Sequence, residues 1–433
     1  MSQYRAYPAY KDSGVEWIGQ VPEHWKIAQI KRISALNPRK STLSEEKDSL
    51  CTFLPMEKLR TNAVTLDETR PIHEVYGGYS YFCDGDILIA KVTPCFENGN
   101  IAVANGLVNG IGFGSTEINV LRVNGKGHNR FLYYRLQEEQ FRTIAKSEMR
   151  GTGGLKRVPT DLFESFTIGL PDTDEQATIA ATLDRETARI DTLVEKKTRF
   201  IELMKEKRQA LITHAVTKGL DPNVKMKDSG VEWIGQVPEH WKVARVKRLV
   251  SLRNERRNDV STDTIYIGLE DVEAGSGQYK PTNGSSRQSE DSTVGIFYEG
   301  DVLYGKLRPY LRKAIISEMA GCCSTEFLVL RAEKTEPRWL QEWLLTPDVT
   351  HQIESGCEGA KMPRADWGHI GSIEVVYPDQ PEQAQILTTL DRETARIDAL
   401  ISKVEQSITL LKERRSAFIT AAVTGQIDLR GKQ

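Results

Sequence analysis

Residues 11–26, KDSGVEWIGQVPEHWK, recur without a change at 227–242, and nothing else in the chain limits its fold so strongly. An identity of that length inside one chain means a duplicated structural unit. The likeness continues, IAQIKRI at 27–33 matching VARVKRL at 243–249. A second block behaves alike: LDRETARID at 183–191 returns at 390–398, and KEKRQALITHAVT (205–217) matches KERRSAFITAAVT (412–424). The period of about 210 residues is far too long for a solenoid, whose repeats run to roughly 20–45 residues. Between the blocks only thin echoes survive, in the same order in both halves. Gly85-Asp86 with Lys91 and Pro94 answers Gly300-Asp301 with Lys306 and Pro309. Ser115-Thr116-Glu117 answers Ser324-Thr325-Glu326, and GTGGLKRVP (151–159) answers GCEGAKMP (356–363). The frames are copied and their contents are not.

Each half reads as mixed α and β followed by a long helix, an α+β fold class. WKIAQIKRI, DGDILIAKV and INVLRV have the length and β-branched content of strands. FLYYRLQEEQFRTIAKSE (131–148) has helical apolar spacing and is predicted as one helix ended by Gly151. Its counterpart WLQEWLLTPDVTHQIES carries Pro347, which interrupts or kinks a helix. DLFESFTIGLP is predicted as a final strand. From about 174 to 218 and from 381 to 424 there is no interior Pro or Gly. Leu390, Ile397, Val404, Leu411 and Phe418 form a heptad seam. Leu183, Ile190, Lys197, Met204 and Leu211 form the other, widened by Leu193, Val194, Phe200 and Ile201. A rod of roughly 60 Å cannot bury such a stripe alone, so it needs a partner helix, and the other copy is at hand.

The 433 residues leave room for two to four domains, with ordinary proportions of hydrophobic (39%) and charged (27%) residues. No apolar run reaches the roughly 18 residues of a membrane span, and the N-terminus has no signal-peptide pattern, so a cytoplasmic location is expected. Six cysteines without framework spacing and seven scattered histidines predict reduced thiols and no metal site. The net charge of −2 does not favour a nucleic-acid partner, but phosphate contact needs only a local basic face. Catalytic signatures are missing: no Asn/Asp-Pro-Pro-aromatic tetrapeptide of adenine methyltransferases, no phosphate loop, no G-x-S-x-G elbow. GTGGLK follows a predicted helix and precedes a Pro, the wrong context for a nucleotide cradle. The chain is predicted to be non-catalytic, with no cofactor of its own.

SGVEWIGQVPEHWK followed by KRI, GTGGLKRVPTDLF, and EQATIAATLDRETARIDTLVEKK together resemble the type I restriction-modification specificity subunits, over essentially the whole chain and in tandem order. That resemblance implies target-recognition domain 1 at 1–172, a central conserved spacer helix at 173–219, target-recognition domain 2 at 220–379, and a distal helix with a C-terminal tail at 380–433. The helices are then expected to pair as an antiparallel coiled coil that spaces two half-sites of an asymmetric, bipartite target in double-stranded DNA. The implied partners are two adenine-N6 methyltransferase subunits, which would carry the S-adenosylmethionine, with motor-nuclease subunits as optional additions and no membrane. A coiled-coil scaffold and a self-contained DNA methyltransferase are the alternatives. For the DNA contacts, KVTPCFENGN offers Lys91, Thr93, Asn98 and Asn100, and KLRPYLRK offers Lys306, Arg308, Tyr310 and Arg312. Lys156, Arg157, Lys361 and Arg364 flank the Gly-rich turns and suit phosphates. Arg253, Arg256 and Arg257 are a weaker basic cluster. Trp17, Trp25, Trp233 and Trp241, lying in the copied block, point to packing or partner docking rather than base stacking.

Overall fold

The computed structural model describes residues 4–431 except 44, 45, 47, 153, 262, 283–291, 358 and 360. The chain divides into two compact units, residues 1–197 with 406–433, and residues 198–405.

In the first unit an antiparallel sheet has the order Ile101–Val103, Ile87–Ala90, Ile118–Val123, Ser34–Leu36. Ile87–Ala90 is buried along its whole length because it has strands on both edges and side chains packed on both faces. A second sheet runs Thr69–Pro71, Leu50–Leu54, Ile111–Gly114, Ser80–Cys83, with Leu50–Leu54 and Ile111–Gly114 parallel. Gly112 is required there: a Cβ would lie 2.2 Å from the Phe82 ring.

The second unit repeats the first sheet as Val250–Arg253, Phe327–Ala332, Val302–Gly305, Ala314–Ile316. Its second sheet keeps a parallel pair, Tyr266–Ile267 with Gly321–Cys323, but its outer strand, Arg256–Arg257, sits on the opposite edge. Each unit also pairs the strand after the copied block with the strand before the rod: Lys26–Gln29 with Thr167–Leu170, and Lys242–Arg245 with Glu374–Tyr377.

The single helix expected over 131–148 is two, Asn129–Gln137 and Glu139–Ser147. Glu138 leaves the helical conformation (ψ 142°), and its carboxylate caps the next helix by accepting from Gln140 N and Phe141 N. The second unit breaks at the same place, Pro337–Leu344 then Pro347–Ser355, with Pro347 at the first helical position where its missing N–H costs nothing. The segment expected as a final strand begins instead with a short helix, Leu162–Ser165, before Thr167–Leu170.

The rods are single helices, Thr173–Lys218 and Gln380–Val423, the first about 70 Å long at 1.5 Å per residue. Asp172 and Asp379 cap them, accepting from Glu175 N (2.8 Å) and Glu382 N (3.0 Å). In each unit one rod's beginning packs antiparallel on the other's end. Arg208 Nε lies 3.0 Å from Asp398 in the second unit, and Arg415 Nε 2.9 Å from Asp191 in the first.

Leu183, Ile190, Leu390, Ile397 and Phe418 are buried, as are Ile201 and Ile401. Met204, Val404, Leu211 and Leu411 are half-buried, with Lys197 among them. Leu193 and Phe200 do not widen the buried stripe; they are 41% and 39% exposed, outside the narrow seam of a two-helix contact.

The copied frame closes each unit in the same way. Glu382 accepts from Trp241 Nε1 (3.0 Å) and lies 2.7 Å from His240 Nε2. Glu175 accepts from Trp25 Nε1 (3.1 Å) and Tyr7 OH (2.6 Å) and lies 2.7 Å from His24 Nε2. Burial, then the bond to Glu175, raises the Tyr7 hydroxyl above its ordinary pKa. Gly219, just past the first rod, sits on Trp241 and Pro238, and Gly425, just past the second, sits on Trp25 and Pro22. In the first unit the cover is completed by Ile427 and Leu429, with a bridge between Arg5 and Asp428.

Candidate nucleic-acid interface

The weak sequence echoes converge on one junction in each unit. Lys91 N donates to Glu117 O (3.0 Å) and Val158 N to Lys91 O (2.8 Å). In the second unit Lys306 N donates to Glu326 O (2.9 Å) and Ala365 N to Lys306 O (2.8 Å). Glu117 N and Glu326 N each close on a serine hydroxyl, Ser115 or Ser324, at 3.2 Å. The loop after the Gly-Asp strand, the Ser-Thr-Glu turn and the segment after the Gly-rich turn are thus tied at their bases in both units.

At the other end of the strand that leads into each junction lies a buried acid. Asp86 holds Arg122 in a two-point pair (2.8 and 2.6 Å) and Asp301 holds Arg253 likewise (2.7 and 3.1 Å). The hydrogen bonds to these carboxylates push both guanidinium pKa values up. Arg253 therefore has an internal role, and Arg257 pairs with Glu255, which leaves exposed Arg256 as the member of that cluster without a side-chain partner among the described residues.

The candidate readers differ in availability. Arg157 and Arg364 pair with Glu117 and Glu326, and the bond from Arg157 holds the Glu117 carboxyl below its ordinary pKa. Lys156 and Lys361 are exposed, whereas Lys91 and Lys306 are half-buried. Thr93 is a latch: its hydroxyl donates to Gly154 O (2.7 Å) and accepts from Lys156 N (2.9 Å). Asn100 is 6% exposed and offers nothing to a groove in this conformation, whereas Asn98 is exposed. Arg312 is half-buried and reaches Leu345 O (3.3 Å). Tyr310 is 48% exposed, and Arg308 is exposed with no side-chain partner among the described residues. The sequence reading missed Arg150, exposed beside Arg157 and tied to it by two backbone bonds (2.9 and 2.8 Å). Its place immediately before Gly151 was the available signal.

Replacing Thr93 by valine is expected to cost about 1 kcal/mol and to speed amide exchange at Lys156. Unchanged exchange there would show that the latch is not what orders the turn. Trp25 and Trp241 are fully buried, Trp233 is half-buried, and Trp17, 44% exposed, stacks on Phe166. Among the described residues there is no cluster able to hold a metal ion, and no helix is long and apolar enough to cross a membrane.

Residues 22–203 match the family described as type I restriction modification DNA specificity domain. The chain is 32% identical over 167 residues to the EcoEI specificity subunit of Escherichia coli, covering 38% of this chain and 28% of that one. It is 36% identical over 163 residues to the EcoAI subunit of the same organism, covering 37% and 27%. The match thus spans under a third of the length of those relatives. The MjaVIII specificity subunit of Methanocaldococcus jannaschii is 25% identical over 95% of both chains. In fold, the chain resembles a component of a type I R-M system (TM-score 0.73, 16% identity, 94% and 99% coverage). It also resembles the HsdS subunit from Thermoanaerobacter tengcongensis (TM-score 0.56, 16% identity, 94% and 98%). Residues 22–203 thus match a type I restriction modification DNA specificity domain, and the likeness in fold to those two solved structures extends over 94% of the chain.

Proposed function

We propose that this chain is the non-catalytic DNA-reading subunit of a type I restriction-modification complex. Each unit contacts one half of a bipartite, asymmetric site, and two adenine-N6 methyltransferase subunits dock on the copied frame. The observation that carries this reading is the contrast at the two junctions: the backbone anchor is the same, while the projecting residues are Asn98 and Lys156 in one unit and Arg308, Tyr310 and Lys361 in the other. Equal anchors with unequal tips suit two different half-sites. Exposed residues shared by the rods, Arg185 with Arg392, Arg189 with Arg396 and Leu193 with Leu400, supply two like surfaces for two like partners. The methyl donor and the pocket for an extruded adenine belong to those partners.

Co-expression with the accompanying methyltransferase, followed by genome-wide mapping of methyladenine, should return one asymmetric motif with a fixed gap. No methylation from a folded, active partner would refute the reading. Retention on duplex DNA should fall steeply with salt, which a pure scaffold would not show. Inserting one heptad into both rods adds about 10 Å, or about three base pairs at 3.4 Å each. The gap should lengthen by that amount with both half-sites intact; a changed half-site would show that the rods do not act as the spacer.

A further inference from the structure

Each copied block forms a hairpin, Tyr10–Asp12 pairing with Gln20–Pro22 and Met226–Asp228 with Gln236–Pro238, and the identity of the two hairpins, 11–26 and 227–242, exceeds what folding requires. Packing accounts for Val21 and Trp25 and for their copies Val237 and Trp241, all fully buried. Turn geometry accounts for Asp12, Ser13 and Gly14: Gly14 N donates to Asp12 Oδ1 and Val15 N to Ser13 Oγ, and Asp228, Ser229 and Gly230 repeat this. His24 and His240 meet the rod glutamates. Of the charged and amide residues, Lys11, Glu16, Gln20, Glu23 and Lys26 remain, with Lys227, Glu232, Gln236, Glu239 and Lys242. All ten are exposed, and among the described residues all but Glu239, which pairs with Lys225, are without a side-chain hydrogen bond or ion pair.

Wholesale copying of the segment does not explain them. In the next seven residues the interior positions differ, Ile30 against Val246 and Ile33 against Leu249, although all four are buried. Surface normally varies more freely than core, and here the order is reversed. An external constraint common to both units resolves this. DNA does not fit it, since the two lysines of each hairpin are offset by Asp12, Glu16 and Glu23 or their copies, and unlike half-sites do not call for like surfaces.

We propose that each hairpin docks one copy of the same protein partner, the methyltransferase subunit, with the exposed polar residues forming a rim around Trp17 or Trp233. This rests on the complex proposed above. The test is the mass of the complex formed by the full chain with that methyltransferase. The wild type should take up two copies. Lys11→Glu/Glu16→Lys/Lys26→Glu should take up one, losing at least tenfold affinity at the altered hairpin. Adding Lys227→Glu/Glu232→Lys/Lys242→Glu should leave the chain bare at the same concentration, with unchanged melting. Glu16→Ala/Lys26→Ala should weaken the first site in the same direction. Two copies bound at wild-type affinity by the altered chains would overturn the hairpin assignment alone. A wild type that binds no methyltransferase would overturn the complex as well.

Discussion

Replacing Glu138 by leucine is expected to destabilise the first unit by about 3–5 kcal/mol, measured as the shift of its urea transition. Arg135 and Glu138 form an ion pair whose side chains are 1% and 2% exposed. Burial lowers the Arg135 pKa but leaves it a cation needing its partner. Truncating either residue strands a charge with no water to receive it. Glu138→Leu also removes the acceptor for Gln140 N and Phe141 N, so the cap is lost with the charge.

The second unit shows an uncharged way to fill this place. Arg130 pairs with Asp184 as Arg338 approaches Asp391, and one turn on, Arg135 is answered by buried Trp343 and Glu138 by buried Thr346. Arg135→Met/Glu138→Thr should therefore lose less stability than either single change, since it removes both charges together. A double variant as unstable as the sum of the singles would rule out the coupling.

Arg308→Ala should relax discrimination at one base pair of a single half-site by about 5- to 150-fold, the equivalent of roughly 1–3 kcal/mol, leaving the other half-site as it was. Of the cations around the second junction, Arg364 is committed to Glu326 and Arg312 to Leu345 O. Lys306 and Lys361 lack the planar fork that grips guanine O6 and N7 at two points. Arg308 has no side-chain partner among the described residues, and its backbone is unusual. Its φ is 54° and that of Arg312 is 48°, whereas the other described non-glycine residues at positive φ are asparagines, which tolerate it. Holding arginine there costs about 1–3 kcal/mol, and the bond from Arg308 N to Pro363 O (2.8 Å) helps hold it. Methylation of a randomised site library measures the effect. An equal loss over all sequences would make Arg308 a phosphate contact instead.

What could be read from the sequence was whatever repeats or alternates locally. INVLRV is a strand over all of its six residues, Ile118–Val123, and both rods begin and end within two residues of the Pro- and Gly-free stretches. The break at Glu138 was hidden because glutamate is a good helix former, and only the Arg135 pairing and the cap give it another use. In the candidate interface the right loops were legible but not the availability of their side chains. Thr93, Asn100, Arg157 and Arg253 are each spent on partners or packing supplied from elsewhere in the fold, Gly154, the interior, Glu117 and Asp301, at separations no local pattern encodes.

The closure of the copied frame sets an order of events during synthesis. The second unit, 198–405, is continuous in sequence and can assemble once its last residue has left the ribosome. The first cannot: Tyr7 and Trp25 share a core with Phe418, Ile427 and Leu429, made roughly 400 residues later. For most of translation that cluster waits without its cover. The half of the protein that is made first is therefore finished last, and it is the half exposed to premature association and most in need of protection while the chain grows.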